Sequence, residues 1–102
     1  MKNVLLVCGS GLSSGFMAKN IRQAAKAKGI DMKVSARSES EVVDYIEDID
    51  MLLVGPHMSH LMNDLKEEAD PYDVPVQLID EKAYGELDGE AVLKTILETL
   101  KK

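Results

Sequence analysis

Four short apolar segments, each followed by a longer stretch with helical periodicity, constrain the fold of this 102-residue chain most strongly. Residues 4–7 and 51–54 are continuous apolar runs, as expected for strands that are covered on both faces. Residues 32–36 alternate and are less apolar, and Pro75 opens a fourth segment that ends at Ile79. Alternating strands and helices form a parallel sheet, and right-handed crossovers favour the strand order 2-1-3-4 in so small a sheet. The sequence therefore predicts a three-layer α/β fold: a four-stranded parallel sheet with helices on both faces.

The helical stretches carry apolar faces and cap signals that set their expected bounds. The first helix is expected over residues 14–28, with Gly29 as its C-terminal cap, and the last begins after an Asp88 cap. A capping box of Ser38 and Glu41 opens the second helix, and residues 80–89 are expected to form a loop. The residues expected to face inward are Met17, Ile21, Ala24, Ala25, Val42, Val43, Ile46, Ile49, Met58, Leu61, Met62, Leu65, Ala69, Val92, Leu93, Ile96, Leu97 and Leu100.

Composition excludes several classes of function. The 18 acidic and 12 basic residues give a net charge of -6, which argues against a nucleic-acid partner. The single cysteine excludes an internal disulfide and a multi-cysteine metal site, so we expect no metal and no cofactor. No segment has the length of a signal peptide or a membrane span, and a free thiol suits a reducing cytosol. We expect one domain over residues 1–102, cytoplasmic, that meets a membrane only through a partner.

The segment CGSGLSSG, residues 8–15, is where the sequence predicts a site. Cys8 follows the first strand, at the switch point between strands 1 and 3 where ligands bind in such sheets. Glycines allow left-handed backbone, so successive amides can form an anion nest beside the helix N-terminus, with serine hydroxyls as further donors. Such a setting should lower the pKa of the Cys8 thiol and favour its thiolate. The residues predicted to bind phosphate in this phosphatase-like loop are Gly9, Ser10, Gly11, Leu12, Ser13, Ser14 and Gly15. The alternative is that Cys8 is a small hydrophobic residue that ends a buried strand.

Three other functions remain as alternatives. A tyrosine-phosphatase loop needs an arginine six residues after the cysteine, and that position is Ser14. The Asp-Pro-Tyr segment at Asp70–Tyr72 resembles the general-acid segment of low-molecular-weight phosphatases, but it precedes strand 4 at the wrong end of the sheet and is interpreted as a turn. The glycine pattern is one residue too long for a dinucleotide fingerprint, and strand 2 ends in Arg37 instead of an acidic residue. A non-catalytic flavodoxin-like module is the third alternative.

Three stretches carry a resemblance to one family: VLLVCGSGLSSG, LLVGPHMSHLMNDLK and VPVQLIDEKAYGELDGEAVLKTIL. The chain resembles enzyme IIB of the lactose/cellobiose/chitobiose group of the bacterial phosphoenolpyruvate-dependent sugar phosphotransferase system. The resemblance implies that Cys8 accepts a phosphoryl group from a phosphohistidine of enzyme IIA and passes it to a sugar held by the membrane component, enzyme IIC. It implies no metal or nucleotide, and it does not identify the sugar.

Residues outside the cysteine loop are predicted to form a rim around it. Pro56, His57 and Tyr84 follow strands 3 and 4 at the same edge of the sheet, with His57 where the family usually has glutamine. Tyr84 could equally be packed over its own loop. Arg37 follows strand 2 at this edge, where it could steer an anionic partner or simply be solvated. His57 and His60 lie one helical turn apart, but no third ligand stands near them to complete a metal site.

Overall fold

The computed structural model of the chain describes residues 2–7 and 12–100. The strands and helices, in chain order, are β1 (Lys2–Val7), α1 (Leu12–Ala27), β2 (Met32–Arg37), α2 (Val42–Tyr45), β3 (Met51–Val54), α3 (Met62–Ala69), β4 (Val76–Leu78), α4 (Glu81–Gly85) and α5 (Gly89–Leu100). Turns of 3₁₀ helix cover Glu39–Glu41, Pro56–Leu61 and Asp70–Tyr72. The alternation of strands and helices that the sequence predicts is confirmed.

The sheet has four strands in the order β2-β1-β3-β4, and every neighbouring pair is parallel. Val7, the last residue of β1, pairs with Arg37 on one side and Val54 on the other, and Val54 pairs with Leu78. The carboxyl ends of all four strands therefore lie side by side along one edge of the sheet. The chain leaves β1 at the point where the strand order reverses, which is where sheets of this kind bind ligands.

Two apolar cores cover the two faces of the sheet. Val4 and Leu6 of β1 pack with α1 and α5 on one face, whereas Leu5 and Val7 pack with α2 and α3 on the other. β3 is buried along its whole length, which explains its continuous apolar sequence. The predicted three-layer arrangement is therefore correct.

The junction between α1 and α5 depends on glycine and on capping. Gly89 begins α5 and is buried against the backbone of α1, where a Cβ would lie only 2.5 Å from the carbonyl carbon of Asn20. The Asn20 Nδ2 group donates a hydrogen bond of 2.9 Å to the carbonyl oxygen of Leu87 at the same junction. The predicted Asp88 cap is confirmed, since its Oδ1 accepts a hydrogen bond of 3.1 Å from the Ala91 amide.

Gly29, with a φ of 71°, ends α1 in the left-handed conformation, as predicted.

Some predicted helix bounds and inward-facing positions are wrong. α1 begins at Leu12, two residues before the predicted start. The second helix is only the four residues of α2 after a 3₁₀ turn, and Val43 is 60% exposed although it was expected to be buried. Val42, Ile46 and Ile49 are buried at helical spacing, and Val43, one residue after Val42, lies about 100° away around the helix. Ser38 precedes that turn as its N-cap but makes no side-chain cap hydrogen bond; its hydroxyl instead contacts the Glu41 carboxylate at 3.1 Å.

The segment predicted to be a loop after strand 4 contains a helix. Asp80 caps the five-residue α4 by accepting a hydrogen bond of 3.1 Å from the Ala83 amide. A helix of little more than one turn is too short to show an apolar periodicity in its sequence. The helix packs Ala83 and Tyr84 against the core on the α1 side of the sheet.

Candidate functional site

The edge at the carboxyl end of β1 is the candidate site. β1 ends at Val7 and α1 begins at Leu12, so the chain passes from a buried strand to a long helix within four residues. Cys8, the predicted catalytic residue, and Gly9, Ser10 and Gly11 of the predicted phosphate-binding loop lie outside the described residues. Their roles therefore remain predictions, constrained by the two elements that they connect.

The other four residues predicted to bind phosphate form the first turn of α1. The amide groups of Leu12, Ser13, Ser14 and Gly15 belong to the first four of the helix, and such amides have no carbonyl partner within their own helix. They lie at the positive end of the helix dipole, which favours an anion. The prediction that Gly15 provides left-handed backbone is wrong, because this glycine is helical and the described glycine with positive φ is Gly29.

Gly55, after β3, brings the next loop against the end of β1. Its amide donates a hydrogen bond of 3.0 Å to the carbonyl oxygen of Val7. A Cβ on Gly55 would lie 3.1 Å from Cε1 of His57 and 3.6 Å from the same Val7 oxygen. The imidazole of His57 and Val7, the last described residue before Cys8, therefore both lie against one glycine. Pro56 fixes the start of the 3₁₀ turn that carries His57.

Tyr84 reaches the same place from α4. Its ring meets that of His57 edge to face, with 5.5 Å between the ring centroids and 63° between the ring planes. Two hydrogen bonds position α4. The Asp80 side chain caps the first turn of the helix, and the amide of Ile79, just before Asp80, donates a hydrogen bond of 2.8 Å to the Val54 carbonyl oxygen. The structure thus brings together two of the three predicted rim residues, His57 and Tyr84, which are far apart in sequence.

Arg37 occupies the other side of β1 and has contacts that sequence reasoning did not identify. Its Nε donates a hydrogen bond of 3.2 Å to the hydroxyl of Tyr45, and its guanidinium carbon lies 5.3 Å from the centroid of that ring. Nη1 donates to the Ala36 carbonyl at 3.0 Å, and Nε lies 3.6 Å from a carboxylate oxygen of Glu41. The hydrogen bond to the Tyr45 hydroxyl raises the pKa of Arg37. A guanidinium is charged at physiological pH even without that contact. Arg37 is therefore a fixed positive charge beside the end of β1.

The part of the chain that the structure describes contains no group of three or more histidine, cysteine or acidic side chains arranged to hold a metal ion. Within that same part, no helix is both long and apolar enough to cross a membrane.

A parallel α/β domain with a short glycine-rich connection between its first strand and first helix defines a class of anion-binding proteins. Within that class, residues 3–95 match the family model described as PTS system, Lactose/Cellobiose specific IIB subunit, where PTS is the phosphotransferase system. The chain belongs to this family, as the sequence resemblance indicates. It is a phosphotransferase component that carries phosphoryl groups in sugar transport.

Two relatives illustrate how this unit is used. The oligo-beta-mannoside-specific EIIB component of Bacillus subtilis is 32% identical over 100 residues, which cover 98% of this chain and 97% of the relative. The lactose-specific EIICB component of Lacticaseibacillus casei is 29% identical over 85 residues, which cover 83% of this chain but only 15% of that longer protein. In relatives of this second kind, IIB and IIC units are joined in one chain.

Two solved structures have the same fold. The cellobiose-specific IIB component of Borrelia burgdorferi has a TM-score of 0.81 at 29% identity and covers 98% of this chain and 92% of its own. The lactose-specific IIB domain of Streptococcus pneumoniae has a TM-score of 0.86, with coverage of 95% of both chains, but only 17% identity, so it supports the fold alone.

Proposed function

We propose that Cys8 is the residue on which this chain carries the phosphoryl group, at the cytoplasmic side of a sugar transporter. In this proposal the thiolate accepts the group from a phosphohistidine of a IIA subunit and passes it to a sugar held by a IIC subunit. Residues 9–15 bind the phosphoryl oxygens, and Pro56, His57 and Tyr84 form the rim that faces the partner. Residues 1–102 act as one IIB domain.

One observation carries this proposal. The chain's single cysteine directly follows Val7, where a buried strand ends at the switch point of the sheet, and α1 starts four residues later. A phosphoryl group attached there would lie where free amides at a helix N-terminus and the helix dipole favour negative charge. A buried structural cysteine needs no such loop, and membership of a phosphotransferase family supports the reactive alternative.

Both phosphoryl-transfer steps balance in atoms and electrons without a cofactor. The sulfur of Cys8 forms a bond to phosphorus as the bond between phosphorus and the donor's imidazole nitrogen breaks, and that nitrogen takes up the proton that the thiol has lost. In the second step the sugar hydroxyl oxygen attacks phosphorus, the thiolate leaves, and the hydroxyl proton is released. Neutral amides that already point at the site stabilise the charge on the equatorial oxygens without reorganising.

The test is to phosphorylate the purified chain with a phosphorylated IIA subunit and to map the modified residue by mass spectrometry of its peptides. We expect one phosphoryl group on Cys8, and we expect that group to protect Cys8 from alkylation by iodoacetamide. Cys8→Ser should accept little or no phosphate, because a serine hydroxyl is a far poorer nucleophile near neutral pH. Unphosphorylated IIA serves as the control.

A label on His57 or on a serine of the loop would refute the assignment of Cys8 while leaving the family membership intact. Absence of any label from several phosphorylated IIA subunits, with Cys8 freely alkylated throughout, would favour the non-catalytic flavodoxin-like alternative.

A further inference from the structure

We infer that Arg37 is a phosphoryl-binding residue that exchanges its present partner, Glu41, for the oxygens of a phosphoryl group on Cys8. This inference rests on the proposed function, since it requires a phosphorylated Cys8. It adds a cation from a neighbouring strand to a site whose own loop contains none.

The sheet register places Arg37 within reach. Arg37 and Val7 are paired Cα partners on adjacent parallel strands. Paired strands lie about 4.8 Å apart, and the sequence joins Cys8 directly to Val7. An arginine side chain is long enough to span that strand spacing. Among the residues that end the four strands, Arg37 is the charged one, the others being Val7, Val54 and Leu78.

Arg37 has one weak contact, the ion pair with Glu41, and stronger contacts with Tyr45. The ion pair with Glu41 is exposed, with 43% of the Arg37 side chain and 45% of the Glu41 side chain accessible, and such pairs contribute little stability. The hydrogen bond to the Tyr45 hydroxyl and the cation–π contact with its ring instead restrict where the guanidinium can go. Tyr45 packs against the core on the face of the sheet where Val7 is buried. The guanidinium is thus kept near β1 while its ionic partner remains exchangeable.

A phosphoryl group is the stronger partner for this cation. It carries up to two negative charges where Glu41 carries one, and it offers oxygens in the geometry that a guanidinium binds with two parallel hydrogen bonds. Hydrogen bonds to charged groups contribute more than an exposed ion pair does. Arg37 should therefore leave Glu41 when Cys8 is phosphorylated and stabilise the phosphorylated form of the protein.

The test measures the phosphoprotein itself by ³¹P NMR at low ionic strength, after phosphorylation by IIA and removal of the donor. A nearby cation favours the dianion, so in Arg37→Ala the pH midpoint of the ³¹P shift should move to higher pH than in the wild type. The fraction of protein phosphorylated at equilibrium with IIA should correspond to an equilibrium constant roughly tenfold lower. The midpoint and the equilibrium constant of Arg37→Lys should lie between those of the wild type and of Arg37→Ala. Lysine keeps the positive charge but cannot form two parallel hydrogen bonds to the phosphoryl oxygens.

Lys33→Ala is the matched control. Lys33 is an exposed cation on the same strand, four residues earlier and so about 13 Å toward the opposite edge of the sheet. The interaction between exposed charges in water weakens with distance, so we expect the midpoint and the equilibrium constant to change far less than in Arg37→Ala.

Glu41→Gln tests the exchange between partners. It should move the midpoint to lower pH in a protein that has Arg37, and most of that effect should disappear in the Arg37→Ala background, because Glu41 acts by competing for the guanidinium. Equal effects of Glu41→Gln in both backgrounds would mean that Glu41 acts on the phosphoryl group directly, and would overturn the exchange.

The possible failures are distinguishable. If no phosphocysteine forms on the wild type, the proposed function itself fails. If phosphocysteine forms but Arg37→Ala titrates like Lys33→Ala, only the inference about Arg37 fails. A slower transfer from IIA in Arg37→Ala with an unchanged ³¹P titration would assign Arg37 to partner docking and would likewise overturn the inference. Circular dichroism and thermal unfolding of each variant check that the fold is intact.

Discussion

Replacement of Gly89 by alanine tests how closely α1 and α5 are packed. Gly89 is the first residue of α5 and is buried, and a Cβ there would lie 2.5 Å from both the carbonyl carbon and the oxygen of Asn20, and 2.8 Å from the Ile21 amide nitrogen. All three are backbone atoms, so no side-chain rotation relieves the overlap. Because carbon atoms pack at about 3.5 Å or more, the two helices would have to separate by roughly 1 Å.

The energetic consequence follows from that displacement. Overpacking of a well-packed core typically lowers the free energy of unfolding by about 1–3 kcal/mol. We expect a loss near the upper end of that range here, because the overlapping backbone atoms cannot move aside. The separation would also stretch the hydrogen bond of 2.9 Å from Asn20 to the Leu87 carbonyl. Alanine recovers at most about 1 kcal/mol through its higher helix propensity. The net loss should be about 2 kcal/mol, which for a domain of about 100 residues corresponds to a fall in Tm of roughly 8–16 °C.

The assay is thermal unfolding followed by circular dichroism, together with guanidinium unfolding at 25 °C. Gly85→Ala is the control, since Gly85 ends α4 without positive φ and a Cβ at this position would meet no neighbouring group within 4 Å. That variant should unfold within a few degrees of the wild type. A Gly89→Ala protein whose Tm lies within about 2 °C of the wild type would show that the helices are not packed as closely as described.

Three further predictions concern single residues. Gly29→Ala should lower the free energy of unfolding by roughly 1–2 kcal/mol in denaturant titrations, because alanine is strained at a φ of 71°; an unchanged midpoint would mean that α1 can end differently. Asp80→Ala should cost about 1 kcal/mol by the same measurement through loss of the cap to the Ala83 amide, whereas Asp80→Asn, which keeps an acceptor oxygen, should cost less. The pKa of the Cys8 thiol should lie below that of a free cysteine in an ultraviolet titration of its thiolate, and an ordinary or raised value would contradict the anion-binding loop.

The parts of the fold that follow from burial could be predicted from the sequence. Residues 4–7 of β1 and the whole of β3 are predicted correctly, because both faces of the sheet are covered there and the positions must be apolar. β1 begins two residues earlier than predicted, at Lys2, where the strand is not buried. The order of the strands follows from the handedness of crossovers, which does not depend on details of the sequence. The long helices α1 and α5 show several turns of periodicity, and most of their expected inward-facing residues are buried. Leu97 and Leu100 are only partly buried, and Ala18 is buried although it was not expected to be.

Short elements could not be predicted in the same way. α4 has five residues and shows too little apolar periodicity to be recognised, whereas the second helix is predicted but is only the four residues of α2. Val43 is apolar but lies about 100° around the helix from the buried Val42, so its apolar character alone does not indicate burial. In the candidate site, strand ends alone place His57 and Arg37 at the right edge. The contacts of His57 with Tyr84 and of Arg37 with Tyr45 depend instead on helices whose bounds the sequence does not define.

The absence of a loop arginine has a consequence for the phosphorylated protein. Ser14 occupies the position where a phosphatase loop has its arginine, and it lies in the first turn of α1. The Asp-Pro-Tyr segment that resembles a phosphatase acid is a 3₁₀ turn before β4, at the opposite edge of the sheet, and so cannot protonate a leaving group at Cys8. A contact from Arg37 would stabilise the phosphorylated ground state without providing that proton. A phosphoryl group on Cys8 should therefore persist in water.

The most direct test of the carrier function compares two fates of the purified phosphoprotein. One sample is kept alone in buffer, and the other is mixed with membranes that contain a matching IIC component and its sugar, while phosphoprotein and phosphosugar are measured over time. We expect slow hydrolysis in the first sample and much faster transfer to sugar in the second, because an arginine in the phosphatase position can contribute on the order of 10³-fold in rate and is missing here. Hydrolysis of the isolated phosphoprotein as fast as its transfer, or efficient turnover of an aryl phosphate, would contradict the carrier and identify a phosphatase.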